Sequence, residues 1–104
     1  MGTAVTRRVI FTPRAIRQLA RLHRYIAERA SETVADGYVG RLTQYCERFE
    51  LFPERGTARD DILPGLRLVG FERRVTIAFI VEPKAIVIEG VFYGGQDLLR
   101  RLAP

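Results

Sequence analysis

The apolar residues in the first half of the chain repeat with the spacing of a helix. The short apolar run at residues 9–11 predicts a strand, and Thr12-Pro13 after it suits the cap and first turn of a helix. Over residues 14–29 apolar positions recur every three or four residues with arginines opposite them, which predicts an amphipathic helix. Ser31 offers a second cap, and the same period continues to about Phe52. Because so few residues separate the two helices, we expect an antiparallel hairpin.

The second half of the chain is typical of a small antiparallel sheet. Residues 53–56 end the second helix, and residues 57–64 are polar enough to predict a surface loop. Strand candidates follow at 66–69, 75–81 and 85–93, and the middle one alternates with a period of two. Their short connections predict a meander whose one side is covered by the helices.

The other face of the predicted sheet is either exposed or covered by the C-terminal segment or a partner. The residues expected on this face are Thr76, Ala78, Ile80, Val87, Glu89 and Val91. Gly94-Gly95 ends the sheet, and residues 96–102 are expected to be a short helix or a tail. The sequence of elements therefore predicts an α+β fold: N-terminal strand, antiparallel helix hairpin, three-stranded antiparallel meander and C-terminal element.

Length and composition narrow the class of protein. A chain of 104 residues suits a single domain over residues 1–104, and 47% hydrophobic with 28% charged residues is ordinary for a globular protein. No apolar run reaches the roughly 20 residues of a membrane helix, and the first residues do not resemble a secretory signal. Cys46 is the single cysteine, so an internal disulfide and a cysteine-cluster metal site are excluded. We expect a cytoplasmic protein.

The positive charge is concentrated near the N-terminus. Seven arginines and one acid, Glu28, lie between Arg7 and Arg29, so this segment is more positive than the whole chain, whose net charge is +5. Arginine suits carboxylate and phosphate groups, which fits an acidic partner or nucleic acid. A genome rich in G and C produces the same bias without any function, and the sequence leaves both readings open.

Few residues are candidates for acid–base or metal chemistry. His23, the single histidine, lies at the edge of a helix's apolar face, where a packed ring is the favoured interpretation. Cys46 is expected to be a small buried hydrophobic residue. Asp60-Asp61 forms a loop pair without a third ligand at metal spacing. We therefore predict no catalytic residue, no metal and no cofactor.

Several phrases along the chain resemble the RelE/ParE superfamily of bacterial toxins, and the ParE-like branch most closely. They are Phe11-Thr12-Pro13-Arg14-Ala15, Tyr25-Ile26-Ala27-Glu28, Pro64-Gly65-Leu66-Arg67 and Gly94-Gly95-Gln96-Asp97. The resemblance covers nearly the whole chain. It implies the toxin of a type II toxin–antitoxin pair, neutralised by an antitoxin whose C-terminal segment wraps over the sheet and helices.

The two branches of the superfamily imply different targets. RelE-type toxins cut messenger RNA in the ribosome with a basic cluster, of which Arg67 matches one position. Thr76 and Gln96 stand at two others, and no tyrosine follows Tyr93. ParE-type toxins lack this cluster and are associated with poisoning DNA gyrase, so the resemblance favours a toxin that binds a topoisomerase. A RelE-like ribosome-dependent ribonuclease is the alternative, and an inactive corepressor that reaches DNA only through its antitoxin is a third hypothesis.

Two sets of residues follow as candidate binding sites. The target-binding set is Arg67, Arg73, Arg74, Tyr93, Gln96, Asp97, Arg100 and Arg101. The antitoxin-binding set is Arg14, Arg17, Arg21, Ile80 and Val87. For each arginine alone, a solvated surface position is the competing interpretation.

Overall fold

Two helices cover one side of a twisted sheet in the computed structural model of the chain, which describes residues 7–94. The predicted α+β class is confirmed. The elements are β1 (Arg8–Phe11), α1 (Pro13–Arg29), α2 (Glu32–Glu47), a 3-10 turn (Arg48–Glu50), β2 (Thr57–Ala58), β3 (Leu66–Phe71), β4 (Val75–Val81) and β5 (Ala85–Tyr93). The C-terminal helix or tail expected at 96–102 lies outside the described residues.

Thr12 joins the first strand to the first helix. Its backbone N–H donates to the carbonyl of Ile88 at 3.1 Å, which extends the pairing of β1 with β5 by one residue. Its hydroxyl accepts from the N–H of Ala15 at 3.1 Å and caps α1, as the sequence predicts. Ser31 caps α2 in the same way, through the N–H of Val34. β1 therefore leads into α1 without a loop.

The sheet has more strands than the sequence predicts. Within residues 7–94 its order is β1-β5-β4-β3-β2, with β1 parallel to β5 and the other pairs antiparallel. β2 lies in the segment predicted to be a loop. It pairs with the start of β3, and beside it the N–H of Arg59 donates to the carbonyl of Leu66 at 2.8 Å. A strand of two residues has no periodicity, so its pairing is decided by tertiary contacts.

The second helix is shorter than its hydrophobic pattern. Its α-helical part ends at Glu47, and a 3-10 turn carries the chain to Glu50. Phe49 is still fully buried, but Leu51 and Phe52 beyond the turn are 68% and 59% exposed. The expectation of helix to about Phe52 is therefore wrong, because the tighter turn moves the last apolar side chains off the core-facing side.

The main core lies between the helices and the sheet. Its buried residues are Ala15, Leu22, Leu42, Cys46, Phe49, Phe71, Val75, Ile77, Phe79, Ile86, Ile88 and Val91. Cys46 is fully buried, as predicted, and burial raises the pKa of its thiol to about 12. At neutral pH this thiol is protonated and behaves as a small hydrophobic group.

A β-bulge in the last strand changes which side chains face the helices. Ala78 pairs with Gly90 and Phe79 with Ile88, so Glu89 is an extra residue between them. Ile88 packs in the helix-side core before the bulge, and Val91 does so after it. The placement of Val91 on the other side of the sheet is therefore wrong, because a strict period of two does not pass through a bulge.

Helix α1 supplies a hydrogen-bond acceptor for the backbone of β5 just after the bulge. The N–H of Val91 donates to Oε1 of Gln18 at 2.7 Å. β1 has ended at Phe11, so no neighbouring strand accepts from this donor, and a buried N–H without a partner is costly. Gln18 therefore holds the far end of β5 against the helix layer.

The bulge also sends Phe92 to the free face of the sheet. There Phe92 is buried with Leu66 and Ala78 in a second cluster, partly covered by Ile62 and Leu63 of the loop before β3. The ring lies over Gly90, where a Cβ atom would stand 2.5 Å from Cε2 of Phe92. A larger residue at position 90 would displace the ring.

We predict that Gln18→Leu lowers the free energy of unfolding by about 1–3 kcal/mol, because the Val91 N–H would lose its partner while the side-chain volume is kept. Gln44→Leu is the matched control, since Gln44 is an exposed glutamine on α2. Urea denaturation followed by circular dichroism measures both. Equal losses in the two variants would show that the Gln18 hydrogen bond contributes nothing to stability.

Candidate protein-binding site

The turn between β3 and β4 presents two arginines at one end of the sheet. The N–H of Arg74 donates to the carbonyl of Phe71 at 3.2 Å, and the central residues Glu72 and Arg73 have φ of 48° and 63°. Two successive positive φ angles are those of a type I′ hairpin turn, which normally uses Asn or Gly. Each costs a residue with a Cβ atom about 1–2 kcal/mol. This turn therefore keeps Arg73 at a strained position.

An ion pair with helix α2 holds the turn in place. Arg41 contacts Glu72 through two parallel hydrogen bonds, Nε to Oε2 at 2.9 Å and Nη2 to Oε1 at 3.0 Å. These bonds lower the pKa of Glu72 below its ordinary value. The carboxylate of the turn is thus satisfied by Arg41, and Arg73 and Arg74 remain exposed.

Two tyrosines and two arginines meet beside this turn. Tyr93, the last residue of β5, packs on Tyr25 of α1 with ring centroids 5.1 Å apart. Arg74 Nη1 donates to the Tyr93 hydroxyl at 3.4 Å, and the Arg29 guanidinium carbon lies 3.7 Å from the centroid of the Tyr25 ring. We call these four residues, together with Arg73 of the adjoining turn, the tip cluster: Tyr25, Arg29, Arg73, Arg74 and Tyr93. It lies where the chain leaves the sheet at Gly94.

Tyr38 lies behind the tip cluster, in the helix layer. Its ring contacts Phe71 edge-on, with centroids 5.6 Å apart, and lies beside the Arg41 guanidinium. Its hydroxyl oxygen is buried and has no hydrogen-bond partner among the described residues. Burial, and next the negative charge of Glu72, raise the pKa of Tyr38 above its ordinary value. Tyr38 is therefore a neutral ring packed on Phe71.

The target-binding residues predicted from the sequence are thus divided. Arg74 and Tyr93 are in contact, and Arg73 is exposed next to them in the turn. Arg67 lies near the other end of β3, about 13 Å along the strand from Phe71. Arg67 donates to the backbone carbonyls of Glu54, Arg55 and Gly56 at 2.6–3.2 Å. Its guanidinium is occupied in fixing the segment that precedes β2. The predicted residues Gln96, Asp97, Arg100 and Arg101 lie outside the described residues.

The antitoxin-binding residues predicted from the sequence lie on two opposite sides of the molecule. Arg14, Arg17 and Arg21 are exposed on α1, in the helix layer. Ile80 and Val87 are half-buried on the free face of the sheet. The sheet separates the two groups.

Ile80 and Val87 belong to an apolar row that crosses the free face. Ile10 pairs with Val87, Val87 with Ile80, and Ile80 with Leu66. Leu66 is fully buried under the loop before β3, whereas Ile10 at the β1 edge is 44% exposed. We call Ile10, Ile80 and Val87 the open row, because cover decreases from Leu66 towards the free edge.

Some of the surface residues are not evident from the sequence. The helical period predicts a helix through Leu51 and Phe52, and the exposure of this pair follows only from the 3-10 turn. In the sequence, Tyr25 and Arg29 are parts of an amphipathic helix. The position of Tyr25 on the flank of α1 and the aromatic residue at the end of β5 are the sequence signal for this site. Their contact depends on how α1 lies along β5.

The residues considered for acid–base or metal chemistry are bonded to other side chains or to the backbone. His23 Nε2 lies 2.6 Å from Oδ1 of Asp36, which links α1 to α2. Asp61 accepts two hydrogen bonds from Arg59, and Asp60 accepts one from the N–H of Gly65 at 2.8 Å. Within residues 7–94 no three His, Cys, Asp or Glu side chains converge as a metal site would require. The tip cluster consists of tyrosines and arginines, which suit binding.

Comparison with known proteins identifies the family. The sequence profile described as "ParE toxin of type II toxin-antitoxin system, parDE" matches residues 9–98. The chain belongs to the ParE toxin family. A solved structure described as the chromosomal ParDE toxin–antitoxin system from P. aeruginosa is similar, with a TM-score of 0.74 and 19% sequence identity. The match covers 86% of this chain and 97% of that one.

Membership of the ParE family decides between the two branches that the sequence left open. The predicted toxin identity and the need for a cognate antitoxin are confirmed, whereas the RelE-like ribonuclease finds no support in these comparisons. The solved structure supports the fold alone at this identity. A search of curated proteins gives no match. In the part of the chain that the structure describes, neither helix has the length and apolar character to cross a membrane.

For this ParE-family chain we predict that Arg73→Gly raises the free energy of unfolding by about 0.5–1 kcal/mol, because glycine adopts the positive φ without strain. Arg74→Gly is the matched control, since the φ of Arg74 is not positive. Glycine relieves no strain there, and the greater conformational entropy of the unfolded chain should lower the stability. Denaturant titration measures both. A loss of stability in both variants would contradict strain at Arg73.

Proposed function

We propose that this ParE-family toxin arrests growth by binding a protein target, and that the target is a type II topoisomerase, DNA gyrase first. The observation that carries the proposal is the chemistry of the tip cluster. Its side chains are tyrosines and arginines, the types enriched at binding hot spots. Metal-independent RNA cleavage would instead need an acid and a base at one place.

The state of Arg67 supports a binding toxin as well. It is the one residue matching the basic cluster of the ribonuclease branch, and three backbone carbonyls take up its guanidinium. A cation held in this way supports the fold of its own chain. The target surface would therefore be the tip cluster, together with Gln96, Asp97, Arg100 and Arg101, which follow Gly94 along the chain.

The cognate antitoxin would cover the open row of the sheet. Ile10, Val87 and Ile80 form a continuous apolar strip that ends at the outer edge of β1, with which no further strand pairs within residues 7–94. An extended or helical antitoxin segment that covered this strip would remove apolar surface from water and satisfy the edge strand. The location would be cytoplasmic, where a topoisomerase and an antitoxin are both available.

The target proposal is tested with purified gyrase in a DNA supercoiling assay. The wild-type chain should inhibit supercoiling, and Arg74→Glu should need at least about tenfold more protein, since a charge reversal at a hot spot costs more than about 1.4 kcal/mol. Lys84→Glu is the control, an exposed charge reversal in the turn at the opposite end of β4. Removal of residues 96–104 should abolish inhibition, and His23→Ala should leave it intact.

The same variants expressed without antitoxin extend the test to cells. The wild-type chain should cause filamentation and a DNA damage response. Arrest of translation with intact gyrase activity would overturn the topoisomerase target. Equal inhibition by wild type, Arg74→Glu and the truncated chain would show that the tip is not the binding surface.

The antitoxin proposal predicts that Ile10→Asp raises the dissociation constant for the cognate antitoxin by about tenfold or more, because a carboxylate would be buried in an apolar contact. Ile16→Asp is the matched control, since Ile16 is 55% exposed on α1, away from the open row. Isothermal titration calorimetry with the product of the neighbouring gene measures both. Similar losses for the two variants would place the antitoxin elsewhere.

A further inference from the structure

The outer face of α1 carries a row of exposed arginines. Arg14, Arg17, Arg21 and Arg24 follow one another at spacings of three and four residues, so they lie within an arc of about 80° and along about 15 Å of helix. A shallow depression of about 280 Å³ runs along this face, lined by Arg14, Arg17, Gln18 and Arg21. The row is therefore a continuous strip of positive charge.

Three of the four arginines in this row carry a charge that is not neutralised within the described part of the chain. Arg17, Arg21 and Arg24 make no hydrogen bond, ion pair or ring contact among residues 7–94. The one acid of α1, Glu28, follows the row. Like charges three and four residues apart destabilise a helix, so an arrangement of this kind fits an external polyanion.

We propose that the arginine row binds the phosphate backbone of duplex DNA directly. Each strand of B-DNA places a phosphate about every 3.4 Å of helix axis, so the roughly 10 Å from Arg17 to Arg24 has several phosphates of the duplex within reach. A guanidinium can donate two parallel hydrogen bonds to a phosphate group. Contacts of this type carry no sequence information and would add affinity at any DNA site.

The composition of this face favours nucleic acid over an acidic protein segment. Beside the arginines the face holds Pro13, Gln18 and Ala20, the exposed Ile16 lies on its flank about 80° from Arg24, and at its end Tyr25 is packed against Tyr93. Protein docking draws most of its affinity from large buried anchors, which this face lacks, whereas phosphate contacts need only cations. The row would thus act independently of the open row on the other side of the sheet.

This inference departs from two expectations drawn from the sequence. One is that Arg14, Arg17 and Arg21 bind the antitoxin. The other is that this chain contacts DNA only indirectly, through the antitoxin. Direct binding would let the chain and its antitoxin contact one duplex together. The inference does not depend on the identity of the toxin's target.

The test measures binding of the purified full chain to a fluorescein-labelled 20-base-pair duplex by anisotropy, between 50 and 200 mM salt. The row variant is Arg17→Gln, Arg21→Gln and Arg24→Gln together. The matched control is Arg8→Gln, Arg48→Gln and Lys84→Gln, three exposed cations outside the row with the same change in charge. Because each lost phosphate contact removes about 0.9 from the slope of log K against log salt, the row variant should lose about 2.7.

The control should lose less than about one unit of slope, and Arg21→Gln alone should lose about 0.9, which keeps the test valid if the triple variant misfolds. Equal slopes for the row variant and the control would overturn the proposal. So would the absence of binding at 50 mM salt. Displacement of the duplex by an equal charge of poly-glutamate at the same concentration would show that the row prefers acidic protein, which also overturns it.

Discussion

The hydrogen bond between the Val91 amide and the Gln18 side chain joins the helix layer to the sheet at the bulge in β5. After the extra residue at Glu89, β1 no longer lies beside β5, so the backbone N–H of Val91 has no acceptor on that strand. The side chain of Gln18 supplies the acceptor. Through this contact the end of β5 stays against α1. Val91 then enters the main core and Phe92 enters the cluster on the free face.

The tip cluster depends on the same bulge. Tyr93 follows Phe92 and therefore points to the helix side, where it meets Tyr25. Without the extra residue the alternation would turn Tyr93 to the opposite face, away from α1. The strained turn of β3 and β4, fixed to α2 by the pair Arg41–Glu72, brings Arg74 to the same place. Three separate elements thus build one surface rich in arginine and tyrosine.

The two layers of the fold give the molecule two different exteriors. The helix layer presents a row of arginines with the exposed Ile16 on its flank, while the free side of the sheet presents a partly covered apolar row. Surfaces of these two kinds favour different partners, because phosphate binding needs charge and peptide binding needs apolar area.

The sequence alone determined much of this protein. Thr12 and Ser31 marked both helix starts, the helical period of apolar residues marked the core faces of α1 and α2, and alternation marked β4. These signals are local, because caps and periodicity arise from neighbouring residues. The resemblance in short phrases also indicated the toxin family, which the match over residues 9–98 confirmed.

Tertiary structure decided the features that depend on residues far apart. The parallel pairing of β1 with β5, the two-residue strand β2 and the bulge at Glu89 are set by partners that no local pattern specifies. The same holds for Arg67, which looks like a site residue in the sequence and is bound by the carbonyls of residues 54–56 in the fold. An arginine's role follows from which acceptors lie within reach, and only the folded chain brings those acceptors to it.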